Sequence, residues 1–199
     1  VSALWITGLG SLSPAAAGVD ELWSYLCAPD PERLLIDPPA REGLSLLRAA
    51  CFAEDYPAEN HVDRRLVRKA SNLSRHTLVA AQLAWDDAGG LSEHVLDEAA
   101  VAVGTTFGSS AYYLRFYEAL VRRGPSAANA VLFTEGVFNA PSGHVTKAFG
   151  LRGLGHTLVG GEEAGLSAVI HGVDKLQLRR ARAALVGGAE AASDLALST

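Results

Sequence analysis

Apolar positions along the chain change their period several times, and each change marks an element. Leu4-Trp5-Ile6-Thr7 is a short, nearly unbroken apolar run ending in Gly8-Leu9-Gly10, which predicts a buried strand. After Asp20, the residues Leu22, Trp23, Tyr25 and Leu26 fall at helical spacing, and Pro29 must stop that helix. Pro29 to Asn60 holds five prolines and little period, so it reads as an excursion over the surface. The longest helical pattern runs from Asp63 to Ala88. It carries Leu66, Leu73, Thr77, Ala80, Ala81 and Ala84 on one side and ends at Gly89-Gly90. Ala100 to Thr105 predicts a buried strand, and Ser110 to Arg123 an amphipathic helix closed by Gly124-Pro125. Ser142 to Phe149 predicts a short helix, and His156 to Val159 a brief strand leading into Gly160-Gly161. Glu163 to Arg182 predicts a helix with Leu166, Ile170, Val173 and Leu176 inward. Ala183 to Val186 is a last strand before Gly187-Gly188. Alternation of this kind implies a single α/β domain over residues 1–199, a layered sheet covered by helices.

Composition narrows the function classes. The chain has 199 residues, 49% of them apolar and 20% charged, which is ordinary globular composition. A net charge of −5 does not fit a nucleic-acid binder, which would carry a basic stripe with stacking aromatics. Cys27 and Cys51 are too few for a disulfide framework and read as small buried hydrophobes. No apolar run reaches the ~20 residues of a membrane span, and the first residues show no basic segment or cleavage site. A soluble cytoplasmic protein is the expectation, with no membrane and no nucleic-acid partner.

Two candidate chemistries are weak. Gly8-x-Gly10-x-x-Ser13 follows a strand-like run but lacks the third glycine of a dinucleotide fingerprint, and Pro14 interrupts it. A tight turn explains it better. The six histidines His61, His76, His94, His144, His156 and His171 never fall at i, i+4 and have no cysteine pair beside them, so no metal site is expected. No cofactor is expected either.

A resemblance then becomes specific. Trp5-Ile-Thr-Gly-Leu-Gly-Ser-Leu-Ser-Pro14 with Gly18-Val-Asp-Glu-Leu-Trp23 resembles the opening of β-ketoacyl-acyl-carrier-protein synthases, the ketosynthases. Asp63 to Gly89 resembles their long helix, and Val103-Gly-Thr-Thr-Phe-Gly108 their strand and glycine turn. Asn139-Ala-Pro-Ser-Gly-His144 with Phe149-Gly-Leu-Arg-Gly153, and Ala183-Ala-Leu-Val-Gly-Gly-Ala-Glu190, resemble later blocks of the N-terminal half. The blocks arrive in family order over nearly the whole chain. The resemblance implies a thiolase-like fold, of which this chain is the N-terminal half.

The resemblance also exposes a departure. The family places Thr-Ala-Cys-Ala-Ser-Gly at the start of a buried helix, where the helix N-terminus stabilises the thiolate and backbone N–H groups hold the oxyanion. Here Gly160-Gly161-Glu162-Glu163-Ala164-Gly165 stands at that point, with Glu162 in the cysteine position. Acyl transfer to a glutamate would give a mixed anhydride, uphill from a thioester. Three readings of Glu162 and Glu163 stay open: good helix starters, a plug of the old acyl site, or a new role. No His-Gly-Thr-Gly-Thr motif occurs, so the histidines that the family uses in its C-terminal half are also missing from these residues.

What the resemblance implies is a non-condensing homologue with no catalytic residue of its own. It would act as an accessory subunit, like a chain length factor, in a type II polyketide or fatty-acyl synthase. A malonyl-carrier-protein decarboxylase with partner-supplied histidines, or a degenerate scaffolding protein, are the other readings. The implied partners are a full-length ketosynthase or a second copy of the chain, and an acyl carrier protein. Arg65, Arg68 and Lys69 are the implied carrier-docking residues, although a solvated helix face explains them as well. Phe107, Tyr112 and Leu132 are the implied tunnel and interface residues, together with Glu162 and Glu163, although an ordinary core role explains the first three as well. One half of such a fold must leave apolar surface on the helix Glu163 to Arg182 uncovered, and the His156 to Val159 strand is the expected dimer edge.

Overall fold

In a computed structural model the chain is an α/β unit, described for residues 3–30, 35–36, 49–50, 57–191 and 193. Its elements follow in order: β1 (Leu12–Ser13), β2 (Ala16–Ala17), α1 (Val19–Cys27), β3 (Leu35–Ile36), β4 (Ala49–Ala50), α2 (Arg64–Val67), α3 (Asn72–Asp87) and α4 (Glu93–Leu96). Then come β5 (Ala99–Thr105), α5 (Ser110–Arg123), α6 (Ala130–Gly136), α7 (Ala140–Ala148), β6 (Gly155–Val159), α8 (Ala164–Gln177) and β7 (Ala183–Gly188).

β5 is the centre of a parallel sheet in the order β6-β5-β7, with Val103 opposite Thr157 on one side and Gly187 on the other. Every residue of β5 is buried, as expected of a parallel strand covered on both faces. Ala99, Val101 and Val103 share a core with Leu78 and Val79 of α3, Val145 of α7 and Leu151. A stack of Trp85 on Phe149, with ring centroids 4.7 Å apart, joins the end of α3 to the end of α7. On the other face the strands offer small residues to α8. A side chain at Gly104 would run into the carbonyl of Ala164, and one at Gly188 would come within 2.8 Å of the Gly165 Cα. These close approaches seat the first turn of α8 directly on the sheet.

Several expectations need correction. The long helix is not continuous from Asp63 to Ala88. It breaks after Val67 and restarts at Asn72, because Ser71 caps a new helix: its hydroxyl accepts the Ser74 N–H, and its own N–H is taken by Glu135 Oε2 at 2.8 Å. Leu4–Thr7 is not a strand in this sheet. It runs beside α3, close enough that side chains at Gly8 or Gly10 would strike the α3 backbone, and Trp5 and Ile6 are 84% and 81% exposed. Its pattern is that of a buried strand, but no described strand lies beside it to pair with. The helices α4 and α6 appear where no pattern predicted them, and α8 stops at Gln177, short of Arg182, with Leu166 and Ile170 exposed rather than inward because Ala164, Ala168 and Gly172 face the sheet. Of the proline-rich excursion, most lies outside the described residues, and within it β3 pairs antiparallel with β4.

Candidate functional site

The three parallel strands all end toward the same side, and the loops at their carboxyl ends meet there. That is where open α/β sheets place their ligands. β5 runs into Thr105–Gly108, β6 into Gly160–Glu163, and β7 into Ala189-Glu190. The loops are bonded to one another. Thr106 Oγ1 donates to the Gly161 carbonyl at 2.9 Å. Glu190 Oε2 accepts from the N–H groups of Thr106 (2.7 Å) and Phe107 (3.1 Å) and from Thr105 Oγ1 (3.2 Å). A carboxylate so placed holds the β5 turn against β7 through charge-assisted bonds.

Glu162 and Glu163 lie in the exposed turn that feeds α8. Glu163 folds back so that its Oε1 accepts the Gly161 N–H at 3.2 Å, a local tie that closes the turn. Glu162 projects from the same turn, ahead of the first helical residue, Ala164. Phe107 is half-buried in the β5 turn, Tyr112 half-buried on α5, and Leu132 half-buried on α6, which packs against α5. The structure therefore brings Phe107, Glu162 and Glu163 together at the carboxyl end of the sheet, and places Tyr112 and Leu132 on the adjoining helical pair. Arg65 lies on α2, with Arg68 and Lys69 just after it, all exposed. Asp63, Arg64, Arg65 and Arg68 line an open depression of about 610 Å³, and Lys69 does not join it.

A second polar cluster was not anticipated. Glu135, only 5% exposed, accepts from Ser71 N–H, Ser74 Oγ (3.1 Å) and His144 Nε2 (2.7 Å), while Ser71 Oγ meets Ser109 Oγ at 3.0 Å. Burial pushes the Glu135 carboxyl up, but the bonds from His144 and Ser71, the nearby imidazole and Ser74 together outweigh it and hold it below its ordinary value. The carboxylate stands between the serine and the histidine, so no histidine activates a serine and the cluster is not a nucleophilic triad. It ties α3, α6, α7 and the start of α5 together. A lone acid within the apolar stretch Val131 to Val137 was the signal for it. Glu190 was visible only as the end of a motif, with no hint of its bonds.

His156 of β6 and His171 of α8 pack edge to face with centroids 4.5 Å apart. Cys27 is exposed on α1, so the expectation that it is buried was wrong, and Cys51 lies outside the described residues. Among the described residues no three His, Cys, Asp or Glu side chains are grouped to hold a metal, and no helix is long and apolar enough to cross a membrane.

A half-sheet carrying its loops at one carboxyl end is the N-terminal half of a thiolase-like fold, as the solved relatives show. Residues 2–196 match the β-ketoacyl synthase N-terminal domain, and the chain belongs to that family. It is 27% identical to a 3-oxoacyl-[acyl-carrier-protein] synthase 2 of Coxiella burnetii over 94% of its length. It is 29% identical, also over 94%, to the tetracenomycin polyketide synthase ketoacyl synthase beta subunit of Streptomyces glaucescens. These matches cover 45% and 46% of the relatives, so the chain spans less than half of their length. Among solved structures it superposes on the ishigamide ketosynthase/chain length factor with a TM-score of 0.83 and 26% identity, over 97% of this chain and 48% of that one. It also superposes on a β-ketoacyl synthase of Burkholderia phymatum STM815, with a TM-score of 0.78, 21% identity and coverage of 97% and 48%, a likeness of fold alone.

Proposed function

We propose that this chain is a non-condensing ketosynthase homologue serving as an accessory, chain length factor-like subunit of a type II polyketide or fatty-acyl synthase in the cytoplasm. The observation that carries this reading is Glu162. It lies in the turn into α8, and in this reading it stands where the family's motif has its nucleophilic cysteine; a carboxylate there forms no thioester. Similarity to a ketoacyl synthase beta subunit and to a ketosynthase/chain length factor structure supports the same class. In this reading Phe107, Tyr112 and Leu132 shape the acyl tunnel beside the partner ketosynthase, and Arg65, Arg68 and Lys69 meet the acidic carrier protein.

The test is reconstitution. The chain alone, given malonyl-carrier protein and an acyl primer, should form no acyl-enzyme and no elongated product, and Glu162→Cys alone should not restore either. Adding a full-length ketosynthase from the same pathway should give a complex that elongates. An acyl-enzyme on the isolated wild-type chain, or a ketosynthase that neither binds the chain nor responds to it, would sink the proposal.

A further inference from the structure

The turn from α8 into β7 carries an unusual residue at its tightest point. After Leu178 closes the helix, Arg179 has a φ of 54°, in the left-handed region that a side chain makes costly. Among the described residues it is the one non-glycine with positive φ, whereas α5 and α7 end at Gly124 and Gly150. Arg179 N–H donates to the Leu176 carbonyl at 3.0 Å, and Arg180 N–H to the Lys175 carbonyl at 2.8 Å. A glycine would make the same backbone bonds with less strain, so what arginine adds is its guanidinium. Arg180 and Arg182 follow, and all three side chains are exposed. Ala181, 6% exposed, pins the turn between them, and Arg182 N–H donates to the Glu98 carbonyl at 3.0 Å. Two ordinary explanations fall short. A helix C-terminus favours a cation, but Lys175 already supplies one in the last turn of α8. Surface arginines often pair with carboxylates, as Arg152 does with Asp97 at 2.7 Å, yet among the described residues no carboxylate pairs with Arg179, Arg180 or Arg182. A chain of net charge −5 thus gathers three unpaired guanidinium groups within residues 179–182, next to Leu178, which is 63% exposed.

We propose that this turn docks an acidic protein segment that carries an apolar residue among its carboxylates. Guanidinium groups take carboxylates in paired, charge-assisted bonds, and Leu178 supplies the apolar contact that a purely ionic patch lacks. The net negative charge of the chain opposes a long polyanion such as a nucleic acid or an anionic lipid surface. No Phe, Tyr or Trp lies between Asp174 and Glu190 to stack on bases. The turn stands at the amino end of the sheet, about 20 Å from the Thr105–Gly108 loop by the rise of the seven-residue strand β5. A partner held here leaves the loops at the carboxyl end free. The proposal concerns this surface alone and holds whether or not the subunit shapes acyl chains.

The experiment titrates the full chain against a fluorescein-labelled peptide of about ten residues, glutamates around a central leucine pair, and follows anisotropy at low salt. Arg179→Glu, Arg180→Glu and Arg182→Glu combined should weaken binding by about tenfold or more, while Arg122→Glu with Arg123→Glu, a basic pair at the end of α5, should not. Leu178→Ser should weaken binding several-fold with every charge intact. Arg179→Gly relieves the strained backbone, so it should raise Tm and yet weaken the peptide, a split that a purely structural role for Arg179 does not produce. Circular dichroism reports whether each variant has folded. Absence of binding to the wild-type chain, undiminished binding by a folded triple variant or by Arg179→Gly, or an equal loss from the α5 pair would each overturn the proposal. So would a single-stranded oligonucleotide, or phosphatidylserine vesicles, bound more tightly than the peptide.

Discussion

The two faces of the β6-β5-β7 sheet are built from different materials. Against one face, α3 and α7 press Leu78, Val79 and Val145 onto Val101 and Val103, and nothing large is left in water. Against the other, α8 touches the sheet through Ala164, Ala168 and Gly172, while Leu166 and Ile170 remain 63% and 55% exposed. One face is a finished core. The other is a spacer of small residues that brings an apolar helix close to the sheet and presents the rest of it outward. Leu166, Val169 and Ile170 together present apolar side chains outward, which fits the proposed association. The lesson is that the packed core and the exposed apolar helix occupy opposite sides of the same sheet.

The largest expected effect tests that division. Leu78→Ala should cost about 2–5 kcal/mol of stability, the range for a fully buried leucine in a packed core. Ile170→Ala, the same kind of truncation on α8, should leave urea unfolding of the isolated chain within about 0.5 kcal/mol and weaken association in sedimentation. Equal costs at the two sites would break the comparison.

Next is the buried tie behind the finished face. Glu135→Ala leaves the Ser71 N–H, Ser74 hydroxyl and His144 without their shared acceptor and should cost about 1–3 kcal/mol. Because the Glu135 carboxyl is held below its ordinary 4.5, the folded state binds fewer protons than the unfolded. Its contribution is therefore full above that value and is lost as pH falls through the lowered folded pKa. Acid unfolding of Glu135→Ala, followed by circular dichroism, should lose that component of the pH dependence.

A smaller effect lies on the α8 side. Burial, Lys175 and His156 lower the His171 pKa, against a weaker opposing pull from Asp174. A histidine kept neutral in the fold lends stability above its unfolded value of 6.5, and that is lost as pH drops through the depressed folded value. Thermal melts between pH 7.5 and 5.5 should show a downward drift in Tm that His171→Asn flattens. An identical drift in the variant would remove His171 from the account.

The smallest effects belong to the proposed contacts. Arg68→Glu with Lys69→Glu should leave stability unchanged and weaken carrier-protein binding at low salt, a difference that fades as salt is added. Phe107→Ala should lengthen the products of an assembled complex that stays folded and partnered. Unchanged carrier affinity would reduce the cluster to surface, and unchanged product lengths from a stable complex would remove Phe107 from the tunnel.

Local pattern was a good guide wherever an element's neighbours are in the chain. β5 reads as buried from Ala100 to Thr105, and α5 ends where Gly124-Pro125 says it must. The break before α3 was not read from the apolar pattern: Ser71 caps the helix through its own hydroxyl, and the Glu135 carboxylate that holds its N–H comes from 64 residues away. Of the candidate site, the position of Glu162 at a helix start was visible in the motif order. The clamp of Glu190 on Thr106 and Phe107 was not, since it joins loops more than 80 residues apart.

By itself, then, the sequence determined the alternation of strand and helix, the family blocks and the Glu162-Glu163 pair ahead of a helix, all of which depend on order and local spacing. Tertiary structure alone decided which strand-like segment becomes a strand. Leu4–Thr7 and Ala183–Val186 share a buried-strand pattern, yet only the second forms a ladder, because β5 stands beside it with matching backbone groups. A ladder needs a neighbour at hydrogen-bonding distance, and no pattern within a segment can supply one.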